Sequence, residues 1–204
     1  VTVSAKRILE VLETKANITD GNETEGKPGV IGDIEFKNVS FTYPDSEEPI
    51  LRNISFKAKK GETVAFIGAT GSGKSSIINL IPRFYDVTEG EVLVDGVNVK
   101  QYKQEALHAK IGYVSQTAVL FSGTVASNVS YGETGQMGDS LQAVKRAIEI
   151  AQGKDFVEKF DGQYSGHIAQ GGTNVSGGQK QRLSIARAIY RKPEIYIFDD
   201  SFSA

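Results

Sequence analysis

Apolar positions along this 204-residue chain follow three patterns. In residues 3–13, Ala5, Ile8, Leu9 and Leu12 recur at helical spacing, which predicts an amphipathic helix. Residues 14–31, TKANITDGNETEGKPGVI, are polar, carry Gly and Pro, and read as a linker. From residue 34 the period drops to two. In IEFKNVSFTY, Ile34 and Phe36 share one parity while Val39, Phe41 and Tyr43 share the other. A bulge or bend is therefore expected between Phe36 and Val39. ISFKA alternates again, and GEVLVDGVNV places two short apolar runs around Asp95-Gly96, a hairpin signal.

The third pattern is the unbroken apolar run. TVAFIG (63–68) and EIYIF (194–198) read as strands buried on both faces of a parallel sheet, and KIGYVSQ is a candidate third. Helical spacing returns over 139–160. Leu141, Val144, Ile148 and Ala151 form one stripe, and Phe156, Val157 and Phe160 follow a break at Gly153. Residues 177–191 predict a further helix with Leu183, Ala186 and Tyr190 inward, separated by Pro193 from the last apolar run. An antiparallel β portion, a buried βα unit, a helical insert and a buried strand make an α/β fold.

Composition adds mainly exclusions. The 23 Lys and Arg nearly balance 25 Asp and Glu, for a formal charge of −2, which argues against a general nucleic-acid binder. With no Cys, disulfides and Cys-based zinc sites are out. No apolar run approaches the ~20 residues of a membrane span. The chain begins without Met or a signal-like segment and ends abruptly, as a piece cut from a longer protein would.

Chemistry enters at GATGSGKS (68–75), which matches G-x-x-x-x-G-K-[ST] between a strand-like run and a helical one holding Ile77, Ile78, Leu80 and Ile81. Gly71 and Gly73 let backbone N–H groups turn inward around a phosphate chain, and the following helix adds its positive end. Lys74 suits β- and γ-phosphates, and the Ser75 hydroxyl suits Mg²⁺. With Gly68, Ser72 and Ser76, these residues are the expected nucleotide-binding loop. NVSGGQKQR (174–182) is a second loop-to-helix entry, with Ser176 as N-cap and Gly177 and Gly178 open to close approach. Alone it is equally a simple capped helix.

The order of a P-loop, VSGGQ and IYIFDD resembles the ATP-binding cassette family, in particular the nucleotide-binding domain of an ABC transporter, across nearly all of 33–204. The resemblance implies a P-loop NTPase parallel-sheet core, an antiparallel β subdomain and a helical subdomain over about 117–185. Residues 1–31 resemble the helix and linker that follow a transmembrane domain. By the same resemblance Tyr43, in FTYPD, stacks on adenine, although it is also placed as a strand aromatic. Gln116, in YVSQ, contacts Mg²⁺ and the attacking water and lies near the transmembrane partner. Ser176, Gly177, Gly178 and Gln179 belong to the signature motif, with Val175 where Leu is usual. That motif caps the γ-phosphate of ATP held by another subunit, which implies a head-to-tail dimer with two ATPs. Asp199 supports the Mg²⁺ shell, and LFSGTVASNVSYG (120–132) is similar to exporter-type domains.

Departures from the family pattern sharpen the expectation. The position after Asp199 usually holds a catalytic glutamate, and here it is Asp200. GHIAQGG (166–172) sets His167 and Gln170 where acids are common. His108 and His167 lack metal-ligand spacing, and the family's switch histidine does not occur before Ala204. SFSA (201–204) would open the D-loop. The expected function is the ATPase domain of an exporter at the cytoplasmic face of a membrane. Asp200 and the GHIAQGG stretch favour a heterodimer with one weak and one strong ATP site over a homodimer. The alternative function is a degenerate, non-hydrolysing regulatory half of a heterodimeric exporter. The 204-residue chain itself is expected to bind ATP with little or no hydrolysis. A soluble ABC protein acting on ribosomes or DNA is disfavoured by the exporter-like lead-in.

Overall fold

The computed structural model describes residues 2–14, 16–132 and 140–200. Segment 201–204, with the expected start of the D-loop, and residue 139 lie outside the described residues. In chain order the elements are α1 (Thr2–Glu13), β1 (Ile34–Phe41), β2 (Leu51–Ala58), α2 (Lys74–Leu80), β3 (Glu89–Val94), β4 (Val97–Asn98) and α3 (Gln104–Ala109). They continue with β5 (Ile111–Val114), β6 (Gly123–Thr124), α4 (Val125–Val129), α5 (Ser140–Ile150), α6 (Lys154–Lys159), β7 (His167–Ile168), α7 (Gly177–Tyr190) and β8 (Ile195–Phe198). The fold is α/β.

A four-stranded sheet of order β2-β1-β3-β4 carries the antiparallel portion. The parity change in β1 is a real irregularity: its pairing with β2 shifts register between Phe36 and Val39. The shift keeps Phe36, Val39 and Phe41 all buried although they differ in parity. Phe36 stacks on Phe56 across the β1–β2 pair at 4.5 Å. Asp95 and Gly96, both at positive φ, turn β3 into β4 as their sequence signal requires.

β5 and β8 pair in parallel, with Tyr113 opposite Ile197 and Val114 opposite Phe198. Ile111, Ile195 and Ile197 join α2 and the antiparallel sheet in one apolar cluster. A second cluster gathers Val129 of α4, Val144 and Ile148 of α5, Val157 of α6 and Leu183 and Ala186 of α7. The α5 stripe is buried at Val144, Ile148 and Ala151, while Leu141 at its first turn stays exposed.

Two expectations are revised. The run 63–68 forms no ladder among the described residues, and Ile67 is 96% exposed. A strand buried on both faces needs hydrogen-bonded neighbours at its edges. β5 and β8 pair with each other, and none of the described strands takes 63–68. On β8, Tyr196 faces outward, so that strand is covered on one face only among the described residues.

The polar segment before β1 is also more than a tether. Arg83, 5% exposed, donates to the carbonyls of Thr19 and Lys100 while pairing with Asp86. The Gly21 N–H donates to the Tyr102 carbonyl at 2.9 Å, and the Lys103 N–H to the Glu23 carbonyl at 2.8 Å. Within α1, Ile8, Leu9, Val11 and Leu12 are exposed. Among the described residues, no helix is long and apolar enough to cross a membrane.

Candidate nucleotide site

The loop 68–73 runs into α2 with Gly71 at φ 81 and Gly73 at φ 89. Both lie in the left-handed region that side-chain-bearing residues disfavour, and a Cβ on Gly73 would also press on Leu51 at 2.9 Å. The turn delivers Lys74 and Ser75 to the start of α2, while buried Ile77, Ile78 and Leu80 anchor its far face. The Lys74 ammonium folds back and donates to the Gly68 and Ala69 carbonyls at 2.7 and 2.8 Å. The loop thus encloses a positive charge at the mouth of a turn built from backbone amides. An anionic chain would compete with those two carbonyls for the ammonium.

Strand alternation then separates the two adjacent acids. Ile195, Ile197 and Asp199 share a face of β8 and its continuation, and that face looks onto α2. Ser75 Oγ, 124 residues away in sequence, donates to Asp199 Oδ1 at 3.0 Å. Asp200 has the opposite parity and φ 46. Gln116 Nε2, just beyond β5, donates to Asp200 Oδ2 at 3.2 Å. The parallel β5–β8 register therefore sets the segment after one strand against the acids after the other.

Tyr43 lies beside the loop. Its hydroxyl is 2.9 Å from Ser76 Oγ, and its ring meets Phe41 and Tyr85 edge-on at 4.7 and 5.1 Å. Tyr43 follows the end of β1 and packs half-buried against the apolar cluster, with its polar tip on α2. His108 Nε2 lies 2.8 Å from the Pro82 carbonyl, a backbone contact away from the loop, and His167 is exposed on β7.

The signature residues form a separate group on α7. Ser176 Oγ accepts from the Gln179 N–H at 3.3 Å, and Gln179 Oε1 accepts from the Ser176 N–H at 2.9 Å, a complete capping box. The side chains of Ser176 and Gln179 are engaged in this cap. A Cβ built on Gly177 or Gly178 would meet nothing within 4 Å. Their lack of side chains is not demanded by packing inside the chain.

Comparison with known proteins decides the family. The family profile described as ABC transporter matches residues 51–203. The chain belongs to the ABC transporter family. It is 48% identical over 99% of its length to an "uncharacterized ABC transporter ATP-binding protein" of Mycobacterium tuberculosis, covering 34% of that protein. It is 41% identical over its full length to the ATP-dependent lipid A-core flippase of Escherichia coli, covering 36% of that protein. The structure of a bacterial Atm1-family ABC exporter with ATP bound superposes on all of this chain, with TM-score 0.89 and 33% identity, over 35% of that chain. The chain thus spans about a third of the length of the curated ABC relatives it matches.

Three residues of this ABC domain escaped the reading of the sequence. Tyr113 on β5 hydrogen-bonds Asn79 Oδ1 at 2.9 Å and lies 3.5 Å from Asp199 Oδ2. Burial first, and the Asp199 charge second, push its hydroxyl pKa up to about 12. Strand parity with Ile111 and the P-loop position of α2 were the available signals for Tyr113 and Asn79. Arg187 on α7 was the third. It donates to the Asn128 and Val119 carbonyls and lies under Phe121 and Tyr131, each 5.6 Å from its guanidinium. Burial lowers its pKa. Only spatial neighbours reveal it, because its partners sit in α4 and in the loop around Val119, 59 to 68 residues away.

Proposed function

We propose that this chain is the ATP-binding domain of an ABC exporter, coupling ATP binding and hydrolysis to movement of a substrate across a membrane. The observation that carries it is the convergence of Ser75 and Asp199 at 3.0 Å beside the Lys74 loop. A hydroxyl and a carboxylate from distant elements are hard oxygen donors, the set Mg²⁺ takes alongside phosphate oxygens and water. Ser75, Asp199 and Gln116 are the residues that would hold Mg²⁺. When bound it neutralises charge on the phosphates.

In this proposal Gly68, Gly71, Ser72, Gly73, Lys74, Ser75 and Ser76 receive the phosphates, and Tyr43 offers its ring to the adenine. Gln116 and Asp200 orient the attacking water. Gly177 and Gly178 support a head-to-tail dimer, in which the open turn of α7, with the Ser176–Gln179 cap, meets ATP held by a second ABC domain. Their missing side chains cost helix stability with no packing return inside this chain. A transmembrane domain is the other partner, and exposed Val119, Phe121 and Tyr131 beyond Gln116 are a suitable apolar contact for it. This assembly sits at the cytoplasmic face of the membrane. ATP binding to the native full-length protein, with and without Lys74→Ala, tests the proposal. The substitution should abolish binding, and equal binding by both proteins would overturn it.

Asp200 favours a second reading, a site that binds ATP but hydrolyses it slowly, within a heterodimer that keeps one strong site. His167 and Gln170, in place of the usual acids, point the same way.

A further inference from the structure

Tyr113 stands between the two strands and the helix that carry the site. Its ring packs edge-on against Phe84 at 5.5 Å. A phenylalanine would satisfy that contact equally well. The hydroxyl is what differs, and it meets polar atoms on two other elements: Asn79 of α2 at 2.9 Å and Asp199 beyond β8 at 3.5 Å. Asp199 divides its oxygens, with Oδ1 accepting from Ser75 and Oδ2 facing the phenol.

A phenol has one proton to give and can also accept. The Tyr113 O–H faces two acceptors, Asn79 Oδ1 at 2.9 Å and Asp199 Oδ2 at 3.5 Å, and shares its one proton between them. The share that falls on Asp199 is a charge-assisted contact to an ionised carboxylate. Register makes the arrangement specific. Tyr113 pairs with Ile197, so it lies on the Asp199 face of the parallel pair, one pleat before the acid.

We propose that Tyr113 is a positioning residue for the metal-facing carboxylate, its hydroxyl spanning Asn79 Oδ1 on α2 and Asp199 Oδ2. That contact holds the carboxylate so that Oδ1 stays on the Ser75 side, where the cation of a bound nucleotide is shared. This rests on the proposal that Ser75 and Asp199 serve Mg²⁺ and ATP.

The test uses the native full-length protein and the Tyr113→Phe variant, with ATP affinity measured by calorimetry across a Mg²⁺ series and in excess chelator. The Mg²⁺ concentration at half-effect should rise about fivefold, the size of one such hydrogen bond. Affinity for metal-free ATP should stay unchanged. Mn²⁺ replacing Mg²⁺, followed by electron paramagnetic resonance, should show the same weakening without any turnover. Asn79→Ala, which removes the competing acceptor and leaves the phenol proton to Asp199, should not raise the half-effect Mg²⁺ concentration, and it should have no further effect in the Tyr113→Phe background. An unchanged Mg²⁺ dependence in Tyr113→Phe, or a weakening by Asn79→Ala that persists in the Tyr113→Phe background, would overturn the positioning role while leaving the ATP site intact. Absence of any Mg²⁺-dependent ATP binding by the unaltered protein would overturn both.

Discussion

Adjacent residues in this chain do different work because backbone parity sends them apart. Asp199 turns to Ser75, and Asp200 turns to Gln116. An aspartate at the second position is one methylene shorter than glutamate, about 1.5 Å of reach. It also sits at φ 46, a conformation tolerated more readily by Asp than by most residues. Asp200→Glu in the native full-length protein should raise single-site hydrolysis by on the order of a hundredfold, with ATP affinity unchanged. Unaltered single-turnover rates would remove the slow-site reading. Gly178 gives a prediction of opposite sign for stability and assembly. Since a Cβ there meets nothing, Gly178→Ala should raise thermal stability slightly, by up to about 0.5 kcal/mol. Nucleotide-driven dimerisation, followed by light scattering, should nevertheless fall if a partner's ATP occupies that space.

Among elements, α7 shows how local signals and distant contacts combine. Its start is written in four residues, Ser176 to Gln179, and the capping box forms as those residues allow. Ser176→Ala should cost about 1 kcal/mol of stability, measurable as a lower unfolding midpoint in denaturant. The apolar spacing of Leu183 and Ala186 foretold which face is buried. Nothing in that spacing foretold Arg187, whose hydrogen bonds reach Val119 and, in α4, Asn128. β1 is a similar case. Its parity change announced the bulge, because alternation against a single core leaves no other way to bury Phe36 and Val39 together. The run 63–68 is the contrary case. Its apolar residues predicted a buried strand, but a ladder requires partners, and none of the described strands pairs with it.

At the scale of the molecule, buried charges fasten segments that are far apart in sequence. Asp95, fully buried at the β3–β4 turn, pairs with Lys110 at 2.9 Å, and Lys110 also pairs with Glu194 ahead of β8. The Asp33 N–H donates to the same Asp95 carboxylate at 3.1 Å. Removing the cation leaves a buried carboxylate without its counter-charge. Lys110→Met should therefore cost about 3 kcal/mol, read from chemical denaturation. Burial alone would lower the Lys110 pKa, but its hydrogen bonds to Asp95 and Glu194 outweigh that and raise it. A raised lysine pKa makes the contribution complete below the ordinary lysine range and lost as pH climbs through the higher folded value. The stability gap between the unaltered protein and Lys110→Met should accordingly narrow on the alkaline side, and a gap constant to the highest pH measured would contradict this.

The sequence by itself determined what depends on neighbours within a turn or a pleat. The Gly71–Gly73 turn ahead of α2, the α7 cap, the bulge in β1 and the Asp95-Gly96 turn all follow from residues a few positions apart, whose backbone preferences act without the rest of the chain. The order of the motifs was equally legible and led to the family. Tertiary structure alone decided which distant side chains meet. The parallel register of β5 on β8 sets Gln116 against Asp200 and Tyr113 beside Asp199. Arg83 fastens a segment that composition marks as a linker. Such contacts depend on the pairing of strands and the packing of faces, which no local pattern encodes, because each is chosen by the sum of burial and hydrogen bonding over the whole core.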